Sequence, residues 1–384
     1  MQPDQLAAAL ADLDCRAQRR RRAVLGSAQG SRVVLDGQSY LSFASNDYLG
    51  LANHPELIDA VRQAADSWGV GSGASPLVTG HSALHQEAEV ALATFVSRPA
   101  ALLFGSGYAA NLAVIGSLTG RGDAVFADRL NHASLNDACL LSRATLQRFR
   151  HNDLNHLDDL LRQSRAKTRL IAVDAVYSMD GDEAPLAGLA ALAERYDAWL
   201  YLDDAHGFGV LGDGRGSLVG LPASDRIVYM ATLGKAAGVS GAFVAGSTAL
   251  VDWLVNRART YIFSTAHPPI LAAALLASLR LIERESWRRD KLQAHIARLQ
   301  GLGNDNGIKF IASRTPIQPL IIGSNELTLS MSNRLRQAGI WVPAIRPPTV
   351  PTGSARLRIS LSAAHEAHEV TQLVEGIAAV LAQG

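Results

Sequence analysis

Residues 199–216 read WLYLDDAHGFGVLGDGRG and residues 227–242 read IVYMATLGKAAGVSGA. In each, an apolar run of strand length stops on polar and glycine residues, at Asp203-Asp204-Ala-His206 and at Thr232-Leu-Gly-Lys235. Runs this short and this apolar suit strands buried on both faces, the usual state of a parallel sheet. Ligands of such sheets bind beyond the carboxyl ends of the strands, so the residues just past each run are where chemistry is expected. Lys235, between Gly234 and Gly238, is placed there with its amine partly desolvated. Desolvation disfavours the ammonium form, and a neutral amine attacks carbonyls. Asp203, Asp204 and His206 alone admit a metal site, a proton-transfer pair or a cap. Taken with Lys235 they favour an electrophilic cofactor with a ring nitrogen, which needs a lysine for its aldehyde and a carboxylate for its pyridinium.

Working outward, further strands are expected at Ala101–Phe104, Ala124–Ala127, Leu170–Ala175 and Ala242–Ala245, besides Trp199–Asp203 and Ile227–Thr232. Longer helical stretches separate them, the rhythm of a parallel sheet with crossover helices. LLFGSGYAAN at 102–111 follows one strand: its glycines let backbone approach an anion, and a helix opening at Tyr108 offers unpaired N–H groups. His132, in DRLNHAS after another strand, has a flat ring suited to stacking on an aromatic cofactor. Residues 1 to about 25 carry a helical spacing of Leu6, Leu10 and Leu13, and after residue 285 helices and short strands alternate as in an α+β domain. The expected division is a helix-and-strand segment at 1–50, a large domain at 51–285 and a small one at 286–384.

Composition narrows the partners. The 384 residues hold 36 basic and 35 acidic side chains, a net charge of +1, which leaves no excess to hold a nucleic acid or a membrane surface. Two cysteines, Cys15 and Cys139, make neither a disulfide framework nor a zinc site. The acidic N-terminus and the short apolar run Ile270–Leu279 fit neither a signal peptide nor a membrane span, so a cytoplasmic protein is expected.

The same stretches carry a resemblance. LDDAHGFGVLGDGRG and TLGKAAGVSGA are similar to the signatures of the α-oxoamine synthases, a family of fold-type I pyridoxal-phosphate enzymes, and the likeness runs from SFASNDYLGL to ARLRISLSAAHE. It implies an α/β fold with a mostly parallel central sheet, flanking helices and a smaller C-terminal α+β domain. SNDYLGL, NHASL, YSMDGD, FSTAHPP and AIRPPTVPTGSARLR resemble the biotin-pathway branch of the family. That branch condenses L-alanine with pimeloyl-CoA or a pimeloyl carrier-protein thioester.

The resemblance implies pyridoxal 5'-phosphate (PLP) as cofactor and a role for each matching residue. Lys235 holds the cofactor aldehyde and moves the substrate proton, Asp203 pairs with the ring nitrogen, and His132 stacks on the ring and meets substrate. Ser178 and His206 surround the phenolic oxygen, and Gly107, Tyr108 and Thr232 hold the phosphate. Ser264 or Thr265 reaches the partner subunit's phosphate, which makes an obligate homodimer with shared sites. Arg358 binds the substrate carboxylate, with Arg356 expected to face away, while Arg20, within the run Arg19–Arg22, and Thr349 contact the acyl substrate. Asp174 stands where several relatives carry glutamate, so a contact of that longer side chain is expected to be missing or water-bridged. Residues 71–85 are matched less firmly.

Other readings fall on context. Gly207-Phe-Gly209-Val-Leu-Gly212 fits the dinucleotide fingerprint literally, but no helix pattern follows it. No G-x-S-x-G marks a serine hydrolase. His81 and His85, four apart, could share one helix face, but no nearby Cys, Glu pair or third histidine completes a site, and no metal is expected. A sister synthase using glycine or serine with another acyl-CoA is the nearer alternative.

Overall fold

A computed structural model describes residues 2–382. The chain divides into two units, one of Met1–Gly50, Met179–Gly181 and Asp290–Gly384, the other of Leu51–Ser178 and Asp182–Arg289. The N-terminal segment thus groups with C-terminal residues. Its strands β1 (Arg32–Leu35) and β2 (Gln38–Ser42) form a hairpin over Asp36-Gly37. Both turn residues have positive φ, as a two-residue hairpin loop of this type requires.

The larger unit is built on seven strands: β3 (Ala100–Phe104), β4 (Ala124–Asp128), β5 (Thr145–Phe149), β6 (Arg169–Asp174), β7 (Trp199–Asp203), β8 (Ile227–Thr232) and β9 (Ala242–Gly246). Their order is β3-β9-β8-β7-β6-β4-β5. The five strands β8, β7, β6, β4 and β5 run parallel, and β9 runs antiparallel to both β8 and β3. Strands β4, β7, β8 and β9 are almost wholly buried, which is why their sequences are unbroken apolar runs. The edge strand β5, TLQRF, is largely uncovered and carries no such run, so it is missing from the sequence expectation. The connection from β4 leads outward to β5 and that from β6 leads the other way to β7. This reversal opens a crevice at the carboxyl ends of β4 and β6.

The other unit continues with β10 (Ile317–Gly323), β11 (Ile340–Trp341), β12 (Ala344–Ile345) and β13 (Ala355–Ser360). β13 lies between β10 and β12, and β11 adds to the hairpin by pairing in parallel with β2. Pro319 is accommodated because β10 is an edge strand. The N-terminal helix runs Pro3–Cys15, shorter than its periodicity suggests, and stops where Ala17 takes a positive φ. Leu6, Leu10 and Leu13 on it are exposed.

The glycine series after β7 has a packing cause. The buried Asp204 carboxylate accepts from Ser217 N (2.7 Å), Ser217 Oγ (2.7 Å) and Tyr229 OH (2.8 Å). Burial still raises its pKa to about 6. A Cβ on Gly207 would fall against the Asp204 carboxylate and the Ser217 hydroxyl, and one on Gly216 against the carboxylate and the Tyr229 hydroxyl. The loop therefore wraps a carboxylate of its own, which accounts for the fingerprint-like spacing. Gly207→Ala is expected to destabilise the protein by about 1–3 kcal/mol through overpacking. A melting curve superimposable on that of the parent would contradict this packing.

Candidate active site

A cavity of about 240 Å³ opens at the carboxyl ends of the parallel strands. β4 leads to His132, β6 to Asp174 and Ser178, β7 to Asp203 and His206, and β8 to Thr232 and Lys235, and all line it. The helix Gly107–Leu118 adds Gly107, Tyr108 and Asn111. Parallel register explains the convergence: Asp174 lies opposite Asp203, and Asp203 opposite Met230.

Within the cavity, Lys235 Nζ lies 2.9 Å from His206 Nε2. The buried Asp203 accepts from Asn111 Nδ2 (2.8 Å) and from Ala205 N (3.1 Å). The Asp174 carboxylate accepts from His132 N at 2.9 Å. Burial, and after it the charge of Asp203, push the Asp174 pKa well above the usual carboxylate value. His132 is held below the usual imidazole value, chiefly by burial. Ser106 caps the helix Gly107–Leu118 by accepting from Ala109 N at 3.1 Å. The helix starts at Gly107, one residue before the expected opening. The first-turn N–H groups of Gly107 and Tyr108 thus lie at the positive end of a helix, the arrangement that binds anions. The Tyr108 hydroxyl donates to Asp137 at 2.5 Å, and Thr232 Oγ1 donates to Gly241 O at 2.9 Å.

The remaining predicted residues lie elsewhere. Ser264 and Thr265 line a separate cavity of about 70 Å³ with His81, His85 and Glu89. His85 is buried and bonds His267 O at 2.8 Å, and the His81 and His85 rings stack at 5.8 Å. In the other unit Arg20 Nη2 donates to Thr349 Oγ1 at 2.9 Å, so the two positions predicted to contact the acyl substrate meet. Arg358 donates to Asn46 Oδ1 (3.1 Å) and Ser360 Oγ (2.8 Å). Arg356 does not face away: two residues is a full pleat period, which puts both arginines on one face of β13, where Arg356 pairs with Asp180. Asn46 and Asn111 were not singled out from the sequence, although Asn46 stands inside the SNDYLGL stretch and Asn111 closes LLFGSGYAAN.

Fold and site together define a fold-type I PLP transferase, and the chain belongs to the aminotransferase class I and II family, whose model matches residues 38–377. It is similar to a serine palmitoyltransferase (SPT) of Sphingomonas wittichii, 29% identical over 99% of this chain and 97% of that one at a TM-score of 0.93, and an SPT solved with PLP matches at the same score. The 8-amino-7-oxononanoate synthase of Francisella tularensis superposes with a TM-score of 0.78, at 30% identity over 90% of this chain and 98% of that one. The 8-amino-7-oxononanoate synthase of Chromobacterium violaceum is 65% identical over 98% of both chains. Within its family the chain belongs with the 8-amino-7-oxononanoate synthases.

One charged group beside the cavity holds two of its loops. His151 bonds Asp128 Oδ1 through Nδ1 (3.0 Å) and Asp182 Oδ2 through Nε2 (2.7 Å), with Tyr177 edge-on at 4.4 Å. Asp128 also accepts from Leu130 N and Asn152 N at 2.8 Å each, which fixes the start of the loop carrying His132. Tyr177 N donates to Asp182 O, bracing the segment that carries Ser178. Burial opposes the imidazolium, but the two carboxylates outweigh it and hold the His151 pKa at about 10. Asp128 is held low: burial is opposed and exceeded by the His151 bond and the two backbone N–H groups. A raised pKa contributes stability fully present below the unfolded value and lost as pH rises through the folded one. The melting-temperature deficit of His151→Gln is therefore expected to be largest between about pH 5 and 6.5 and to shrink toward about pH 10. A deficit independent of pH across that range would contradict an ionised bracket.

Proposed function

We propose that the protein condenses L-alanine with pimeloyl-CoA or a pimeloyl carrier-protein thioester in biotin biosynthesis, releasing 8-amino-7-oxononanoate, CO2 and free thiol. The observation that carries this reading is that one cavity receives both the Lys235 amine and the buried Asp203 carboxylate, in a chain 65% identical to a protein of that name. The donor set fits PLP: an amine for its aldehyde, a carboxylate for its ring nitrogen, and the N-terminal N–H groups of the helix Gly107–Leu118 for its phosphate. When bound, PLP supplies an electron-withdrawing ring that stabilises negative charge at the amino acid's α-carbon.

The chain's own groups do the rest. Lys235 Nζ would hold the cofactor aldehyde and, as a neutral amine, would take the α-proton of alanine. His206 Nε2, 2.9 Å from Lys235 Nζ, hydrogen-bonds the lysine and fixes its position. Asp203 would keep the ring nitrogen protonated, and His132 would stack on the ring and meet substrate. Ser178 and His206 would surround the phenolic oxygen, and Thr232 would join Gly107 and Tyr108 at the phosphate. Arg358, set by Asn46 and Ser360, pairs with alanine's carboxylate, while Arg20 and Thr349 act on the acyl substrate. In the net reaction a bond forms between alanine's α-carbon and the acyl carbon. The C–S bond breaks with the pair leaving on the thiolate, and the carboxyl group departs as CO2, leaving its bonding pair on the α-carbon, which takes up a proton.

Thr265 belongs, in this reading, to the phosphate site of the partner subunit in an obligate homodimer with shared sites. In this reading the protein works in the cytoplasm. Among the described residues no helix is long and apolar enough to cross a membrane.

Borohydride treatment of the yellow holoenzyme followed by peptide mass spectrometry is expected to mark Lys235, and label on another residue overturns the assignment. Asp203→Asn is expected to bind PLP yet lose roughly 100-fold or more in turnover, since an unprotonated ring withdraws electrons poorly; parent-like turnover would exclude the role.

A further inference from the structure

We infer that Tyr201, Asn111 and Ser134 form a buried positioning relay that locks His132 as its Nε2–H tautomer and ties it to Asp203. Asp203 accepts from Asn111 Nδ2 at 2.8 Å, and a carboxylate can only accept, so the amide nitrogen of Asn111 faces it. The amide oxygen then faces Tyr201, whose hydroxyl donates to it at 2.5 Å. The same Asn111 nitrogen gives its second proton to Ser134 Oγ at 2.7 Å. With that proton accepted, the Ser134 hydroxyl has its own to give, and it lies 2.7 Å from His132 Nδ1.

A second donor reaches the same ring nitrogen. His132 is the N-cap of the helix Ala133–Ser142, and Ser134 N donates to Nδ1 at 3.3 Å. A backbone N–H cannot accept, so Nδ1 is the unprotonated nitrogen and the ring proton sits on Nε2. The positive end of the helix favours a lone pair at Nδ1 over an imidazolium. Burial of the ring acts in the same direction. Asn111, Ser134 and Tyr201 are all buried or nearly so, and a polar chain away from water keeps its donors satisfied only in this one arrangement. The consequence for the reaction rests on the function proposed above: His132 offers substrate an N–H donor at Nε2 and no base.

Neutron diffraction from D2O-exchanged crystals of the holoenzyme reads the relay directly. Deuterium is expected on His132 Nε2, with the Ser134 O–D aimed at Nδ1; deuterium on Nδ1 overturns the inference. In solution, Ser134→Ala is expected to lower kcat by roughly 10- to 100-fold, by analogy with metal-bound histidines that lose their outer hydrogen-bond partner. The acid limb of its kcat profile should move to higher pH, because the neutral ring has lost a donor. Ser134→Thr, which keeps the hydroxyl, should restore both, and a Ser134→Ala profile with an unmoved acid limb counts against the relay. Borohydride labelling keeps the two claims apart. Labelled Lys235 with deuterium on Nδ1 overturns the relay alone, and failure to label Lys235 in the parent overturns the cofactor reading alone.

Discussion

Parallel pairing of β6 with β7 puts Asp174 directly opposite Asp203 at the buried carboxyl ends of two interior strands. Two carboxylates in that position repel and have lost water, and much of what surrounds them answers that constraint. His132 N and Asn131 bind Asp174 from the β4 side, its carboxylate and its backbone N–H respectively. Asn111 and Ala205 donate to Asp203. Lys235 lines the same cavity, and its charge lowers the Asp174 pKa against burial. The site is thus a concentration of acidic groups made tolerable by fixed N–H donors and one amine, which is the environment a cationic ring nitrogen requires.

How much of this was legible in the sequence follows from what burial does to composition. Strands covered on both faces must be apolar throughout, so β3, β4, β6, β7, β8 and β9 stand out as runs ending in functional groups, and Lys235, Asp203, His132 and His206 fall at those ends. β5 is an edge strand with polar residues, and its pairing is set by β4 rather than by its own pattern. The antiparallel course of β9 is equally hidden, since a buried strand reads the same in either direction.

The polar residues that position the site were less visible. Asn111 lies in the first turns of a helix, where an asparagine has no periodic signal, and its meaning appears only when Tyr201, Ser134 and Asp203 converge on it from three other elements. The glycines after β7 imitate a phosphate loop in spacing, although the sequence around them already excludes one, because a wrapped carboxylate and a wrapped phosphate both demand close backbone approach. Arg356 and Arg358 show the cost of neglecting the pleat, which two residues restore.

The central claim is the reaction itself, and a single turnover assay decides it. Alanine, glycine and serine are each supplied with pimeloyl-, succinyl-, acetyl- and palmitoyl-CoA, and products are read by mass. The account predicts one dominant product, 8-amino-7-oxononanoate from alanine and the pimeloyl thioester. Faster condensation of glycine or serine with any of the other thioesters would contradict it.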